Sequence, residues 1–569
     1  MKQSLSHLLF SAVILLAVSA CKGGRNAPGS AAINAMDLKR GKVVLCGPPG
    51  QELGTVAFTA SCSETAAQDF NLAISLLHSF EYDEAEKVFA KIIDTEPSCA
   101  MAYWGVAMCN FHPLWTAPSQ AELEKGARAV AIAQSLEKPA MADAYIKAIA
   151  VFYQDWQNTS HITRCLRFEQ AMEQIYRAYP NDMEAAIFYA LALNGAADLK
   201  DTTFSKQKKA GRLLSALQPR APRHPGIIHY IIHSYDYPAL AAQALPAARK
   251  YASIAPASAH AQHMPSHIFT RLGLWEEGVR ANLSSTDAAR CYAANNGIKG
   301  HWDEELHGLD YLVYAYLQQG DNAQAGKQYD YLRSIREVQP MTFKVAYAFA
   351  AIPSRWLIEN RLWKEAAELQ AYPANLPWEQ FPWQRGIIHF TRLLGAVHSG
   401  QPALAKAELE NLHGIHDTLV AQKDTYKSTQ LEIQVKAGEA WILFREGKQE
   451  AAIALMQQAA DMEDQTAKHP VSPGEVAPAR ELLGDMLLEM ERPDLALAAY
   501  EADLKERPGR FNGLYGAGLA AERAHQREKA AAYYQALTKS AAHSDRPELK
   551  TARIFLAQQN RVLAQHHPR

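Results

Sequence analysis

At 569 residues the chain has the length of about three to five domains, or of one long repeat array. Hydrophobic residues make up 48% and charged residues 21%, and Gly with Pro comes to only about a tenth, which excludes collagen-like, mucin-like and wholly disordered chains. With 58 Lys and Arg against 60 Asp and Glu the net charge is -2, so no global field favours nucleic acid, no nucleic-acid partner is expected, and any partner must be recognised locally.

The first residues read as an export signal. Lys2, the apolar run from Leu8 to Val18, and then Ser19 and Ala20 directly before Cys21 form a secretory pattern whose apolar stretch is too short to span a membrane. The arrangement resembles the lipobox of bacterial lipoproteins, which implies cleavage after residues 1–20 and a lipid on Cys21; an ordinary signal with an incidental cysteine is the plainer alternative. Residue 22 is Lys rather than Asp, which in enterobacterial lipoproteins goes with the outer membrane. The expected location is therefore the cell envelope, lipid-anchored, facing the periplasm or the surface. Residues 21–64, with Gly23, Gly24, Pro28, Gly29 and Ser30, read as a lipidated flexible linker.

Six cysteines follow Cys21: Cys46, Cys62, Cys99, Cys109, Cys165 and Cys291. None forms a C-x-x-C pair, which argues against a zinc ribbon, a thioredoxin-like site or c-type haem attachment. An exported chain is free to form disulfides. Cys62 and Cys99 bracket the first helix pair at the same end, so the spacing predicts a bond between them; the pairing of Cys46, Cys109, Cys165 and Cys291 stays open.

From residue 65 a period appears. Ala85, Phe89 and Pro97 follow the apolar Leu72, Ala73 and Leu76, and far downstream Ala496, Tyr500 and Pro508 follow Leu483, Gly484 and Leu487. The Ala-to-Pro step of twelve recurs at Ala210/Pro222 and Ala244/Pro256, and Ala530 and Tyr534 repeat Ala496 and Tyr500 after 34 residues. Looser units centre on Gly320/Ala325/Tyr329, Gly400/Ala405 and Gly447/Ala452/Met456. Small Ala lets paired helices approach, the aromatic fills the groove between units, and Pro ends the second helix. Two Pro-rich stretches, 371–386 and 464–480, read as long loops, the first as the boundary between an array over 65–370 and another over 371–569.

These residues resemble the tetratricopeptide pattern. With Leu76-Leu77-His78-Ser79-Phe80, Ala102-Tyr103-Trp104-Gly105, the run His263 to Ile268 and the run Pro478 to Asp485, the chain is similar to bacterial exported tetratricopeptide repeat proteins. The resemblance implies an all-α fold: a solenoid of helix pairs in a right-handed superhelix, with first helices lining a concave groove.

Histidines fall in register with the repeat. His229 and His263 are 34 residues apart, as are His233 and His267, and each pair is spaced one helical turn. On the earlier helix Ile228, Ile231, Ile232 and Tyr235 form the buried stripe, with His229 and His233 at its edge. The four, as candidate metal ligands, are expected to meet from adjacent helices on one Zn or Cu ion, with His260 as a neighbour. A polar ligand pocket without metal, or a structural network, fits the same pattern. His78 and His112, also 34 apart, are expected to line the groove in the first units, where packing is the plainer role. His301 continues the step from His267 and with His307 is a further candidate for the groove site; the run His301 to His307 carries no H-E-x-x-H motif, and a solvated charged helix start is its plainer role.

Phosphate-loop, nucleophile-elbow and dinucleotide motifs are absent, so no catalytic residue is assigned and the chain is expected not to be an enzyme. The expected function is a lipid-anchored scaffold that binds a protein or peptide in its groove. The alternatives are a Zn- or Cu-binding protein using the groove histidines and, behind it, a metal-dependent enzyme.

Overall fold

The computed structural model describes residues 27–47, 53–59, 62–114, 116–198 and 200–566, with side chains up to 559. The signal segment and Cys21 lie outside the described residues. The chain is an all-α solenoid of tetratricopeptide-like helix pairs, in which each helix packs chiefly on its neighbours in sequence. The pairs begin with Glu64–His78 and Tyr82–Thr95 and continue to Phe511–Arg523 and Arg527–Ser540, followed by a last helix, Pro547–His566. One parallel bridge, His301–Trp302 with Val338–Gln339, interrupts the helical pattern among the described residues.

The local reason for pairing is size complementarity. A Cβ on Gly105 would lie 2.3 Å from the Phe89 ring, and one on Gly516 2.3 Å from the Tyr500 ring, so the repeat aromatic occupies the space a larger residue would need. Ala85, Phe89, Ala496, Tyr500, Ala530 and Tyr534 are all fully buried.

First and second helices differ. Tyr82–Thr95 is strongly amphipathic, whereas Ala100–Cys109 is buried on every residue and Met183–Gly195 on all from Glu184 to Leu193. A helix apolar all round must be covered all round. The array closes on itself, with Pro225–Tyr235 packed against Glu64–His78 and Asp303–Gln318 meeting Phe511–Arg523, while Trp104 is covered by Phe58 and Phe188, and Met183–Gly195 by Pro225–Tyr235. The inner face is therefore a packed interior rather than an open groove, which corrects the expectation of exposed groove residues.

Three further differences from the sequence reading follow from this closure. Residues from 27 onward, expected to be a flexible linker, pack down with Met36, Leu38, Leu53, Val56 and Phe58 buried. The stretch expected as a loop to 386 carries a short helical turn at Trp378–Gln380 and is helical again from Pro382. The apolar core divides between Phe269 and Trp275, while the core that begins at Trp275 runs without a break through residue 371. Two disulfides staple the first half: Cys62–Cys99, with Cα atoms 5.2 Å apart, and Cys46–Cys291, at 5.8 Å; Cys109 and Cys165 are free and buried.

Candidate metal centre

The histidines gather in the interior, but not as one set of four. His229, His233 and His260 form one triad and His263, His267 and His307 a second; within each, one ligand atom per residue lies within 4.8 Å of the others. The expected four-histidine site is thus divided in two, and each half is completed by a histidine from another helix. His301 stands apart, its Nδ1 2.7 Å from the Glu305 carboxylate. His112 also stands apart, 3.1 Å from Glu122 and edge-on to Tyr82.

The backbone explains how the six rings of the triads are presented. Pro225 opens the helix Pro225–Tyr235 and places His229 and His233 one turn apart on it. A five-residue helix, Ala259–His263, carries His260 and His263. Pro265 lacks an N–H and opens a new helix, Pro265–Arg271, that carries His267. His307 comes from Asp303–Gln318, a helix buried along nearly its whole length.

The outer hydrogen bonds fix the ring tautomers. His229 Nδ1 donates to the His78 carbonyl at 2.6 Å. His263 Nδ1 donates to Asn282 Oδ1 at 2.7 Å, and Asn282 cannot be flipped because its Nδ2 donates to the Gly278 carbonyl at 2.8 Å. His267 Nδ1 donates to the Asp236 carboxylate at 2.9 Å. Each partner is an acceptor only, so each of these rings carries its proton on Nδ1 and a lone pair on Nε2.

Those lone pairs then face one another. His263 Nε2 and His267 Nε2 are 3.0 Å apart with no proton of their own to share. In the first triad, His229 Nε2 is 3.0 Å from His233 Nε2 and 3.2 Å from His260 Nε2. His229, His260, His263, His267 and His307 are buried, and His233 is half-buried. Burial pushes His229 down to about 3 and His233, His260, His263 and His307 well below the ordinary imidazole range, which keeps the rings neutral as metal ligation requires.

A third cluster, His78 with Glu184 and His224, shows what proton-only satisfaction looks like. The two carboxylate oxygens of Glu184 accept from His78 Nε2 at 2.9 Å and His224 Nε2 at 2.8 Å. His78 Nδ1 accepts from the Tyr230 hydroxyl at 2.9 Å, and His224 Nδ1 accepts from the Ile227 N–H. Every ring nitrogen is accounted for, and the cluster works as a brace: it holds His78, whose carbonyl orients His229. Burial alone would raise Glu184, but His224 and His78 hold it well below the ordinary carboxylate range.

Several residues that build the site lie outside the histidine register; of these, Asp236 is marked in the sequence by its place beside His233 as a hydrogen-bonding partner for the histidines, and the others are not. Asp236, which holds His267, also accepts from Arg271 at 2.9 Å and lies 3.6 Å from the Lys468 ammonium. Lys468 belongs to the 465–478 loop, which inserts into the interior; the Ser472 carbonyl accepts from Tyr311, and the Gly474 carbonyl from Arg355. Burial pushes Lys468 down to about 8, against the pull of Asp236. Phe80 and Tyr251 pack on His229 with ring centroids at 4.4 and 5.0 Å.

No family model matches the chain, and no curated protein matches it. Among solved structures, the chain is similar to a human IFIT1 dimer with PPP-AAAA at 12% identity, over 83% of this chain and 89% of that one, with a TM-score of 0.36. A human IFIT1 dimer with m7Gppp-AAAA gives 10% identity over 85% and 96%, with a TM-score of 0.37. The Cut9–Hcn1 hetero-tetramer of APC/C gives 11% over 87% and 89%, with a TM-score of 0.30.

Proposed function

We propose that this protein is a metal-binding protein that holds Zn or Cu on the two histidine triads inside its solenoid. One observation carries the reading: the Nε2 lone pairs of His263 and His267 face each other at 3.0 Å, each ring's proton being held on Nδ1 by Asn282 and Asp236. Two opposed lone pairs at that distance repel unless a cation lies between them, and three imidazoles, two of them braced from behind by Asn282 and Asp236, suit Zn or Cu. The handling of metal, rather than catalysis by a side-chain nucleophile, is the role this supports.

The centre sits in a protein exported to the bacterial cell envelope and anchored there by lipid on Cys21. The lipobox-like run before Cys21 and the two disulfides support that reading. Among the described residues no helix is long and apolar enough to cross a membrane. A protein or peptide partner, the other role a repeat array supports, would use the outer helices, since the inner face is filled.

Protein purified without a histidine tag should contain about two metal ions per chain by elemental analysis. His263→Ala with His267→Ala should remove one of them while circular dichroism stays helical. Folded wild-type protein that takes up neither Zn nor Cu overturns the reading. For the anchor, Cys21→Ser should release the protein from membranes, and an unacylated mature terminus elsewhere would refute it.

A further inference from the structure

The two triads adjoin. His260 and His263 leave the same short helix one turn apart, so their Cβ atoms are about 5 to 6 Å from each other. From there His260 joins His229 and His233, and His263 joins His267 and His307. Pro225–Tyr235 packs on Pro265–Arg271, and Ala259–His263 on Asp303–Gln318, which closes the space around both.

All six donors are imidazole nitrogens, which ligate a metal as neutral groups, and no carboxylate belongs to either triad. Asp236, behind His267, is already matched by Arg271 and Lys468. Lys344, whose charge acts on His260, His263 and His307, is itself paired with Glu304 and Asp303. Two divalent ions would therefore bring four positive charges into a buried pocket with no anion among the ligands to offset them. Two Cu(I) ions bring half that charge, and the desolvation penalty of an ion rises steeply with its charge. Copper also stands highest among divalent first-row metals for nitrogen sites, so the pocket suits both of its oxidation states. Three imidazoles leave each ion an open position.

We propose that the triads hold a pair of Cu(I) ions that together bind one dioxygen between them as peroxide, an inference that rests on the metal-binding reading above. Each Cu(I) loses one electron and becomes Cu(II). Dioxygen takes both electrons, its double bond becomes a single bond, and a copper–oxygen bond forms at each metal. No proton and no other reductant enters. Two Cu(I) with neutral dioxygen carry the same total charge as two Cu(II) with a peroxide dianion, so the pocket's net charge does not change on binding. A buried site of neutral ligands can meet that condition without reorganising its charged neighbours. Phe80, packed 4.4 Å from the His229 ring, and Tyr311, 4.7 Å from that of His263, help screen water from the peroxide, and the half-buried His233 marks the side from which a small neutral gas enters.

The test is anaerobic loading of the full chain with Cu(I), followed by dioxygen. The expected result is about two coppers per chain, uptake of about one dioxygen per two coppers, a new near-ultraviolet charge-transfer band, and silence in electron paramagnetic resonance before and after, because paired Cu(II) ions couple. His307→Ala should keep about one copper, lose at least tenfold in dioxygen uptake, and show a Cu(II) signal on oxidation. If that buried variant does not fold, His233→Ala, at the half-buried ligand of the other triad, reads the same loss. Two bound coppers that take up no dioxygen, or that oxidise to independent Cu(II) signals, overturn the inference and leave the metal-binding reading standing. Folded protein that binds no copper and no Zn sinks both.

Discussion

Asn282 offers the sharpest test of the tautomer argument, because it touches His263 from behind and lies in neither triad. Its Oδ1 accepts from His263 Nδ1 at 2.7 Å and its Nδ2 donates to the Gly278 carbonyl at 2.8 Å. Asn282→Leu keeps the volume and removes both. His263 is then free to move its proton to Nε2 and donate across the 3.0 Å gap to His267. In the metal-free protein that new bond offsets part of the about 1 to 3 kcal/mol that an unsatisfied buried donor costs. With metal present it offsets nothing, since the ring must give the proton up before it can ligate. Loss of an outer-shell partner typically lowers metal affinity about 10- to 100-fold, or about 1.4 to 2.7 kcal/mol. The expected signature is a drop in affinity at one of two sites that exceeds the drop in stability of the empty protein. Competition with a Cu(I) chelator in the absence of dioxygen measures the first, and urea unfolding of metal-free protein the second. Asn282→Asp, which keeps the acceptor, should retain binding. Affinity within about threefold of wild type in Asn282→Leu, or equal loss at both sites, would refute the tautomer argument.

Two further outcomes follow from other parts of the interior. Burial raises the Asp310 carboxyl to about 6 even though the buried Arg355 guanidinium pairs with it. A carboxyl with a raised folded pKa lends stability below its unfolded value and loses it as pH rises through about 6, so unfolding free energy should fall by up to about 3 kcal/mol between pH 4 and 6 from this group. Asp310→Asn should flatten that slope in urea titrations, and an unchanged slope refutes the assignment. Non-reducing peptide mapping should find Cys46 bound to Cys291 and Cys62 to Cys99, with Cys109 and Cys165 free. Because the first bond spans 245 residues, Cys46→Ser with Cys291→Ser should cost about 5 kcal/mol on loop-entropy grounds; a different pairing, or no loss, would count against it.

What was legible in the sequence was what neighbouring helices settle between themselves. In a solenoid each unit packs mainly on the next, so the Ala and aromatic positions of one repeat are decided within about 34 residues and show as a period. The histidine pairs were legible for the same reason, since one turn of helix is local. Their division into two triads was not. A constant step of 34 carries His267 to His301, but Trp275–Asn295 runs to 21 residues where the equivalent Ala241–Ile254 has 14, and the extra length puts His307 in the place the period gave to His301. The long contacts were hidden in another way. His229 is oriented by the carbonyl of His78 across 151 residues, and Asp236 meets Lys468 from a loop whose Pro and Gly content reads as solvent-facing. Composition reports how a segment bends, and it says nothing of whether a closed array leaves that segment room outside. The candidate centre lies where the array stops being one-dimensional: at the inner face, where helices several units apart come together and a buried polar group must find its partner from across the ring.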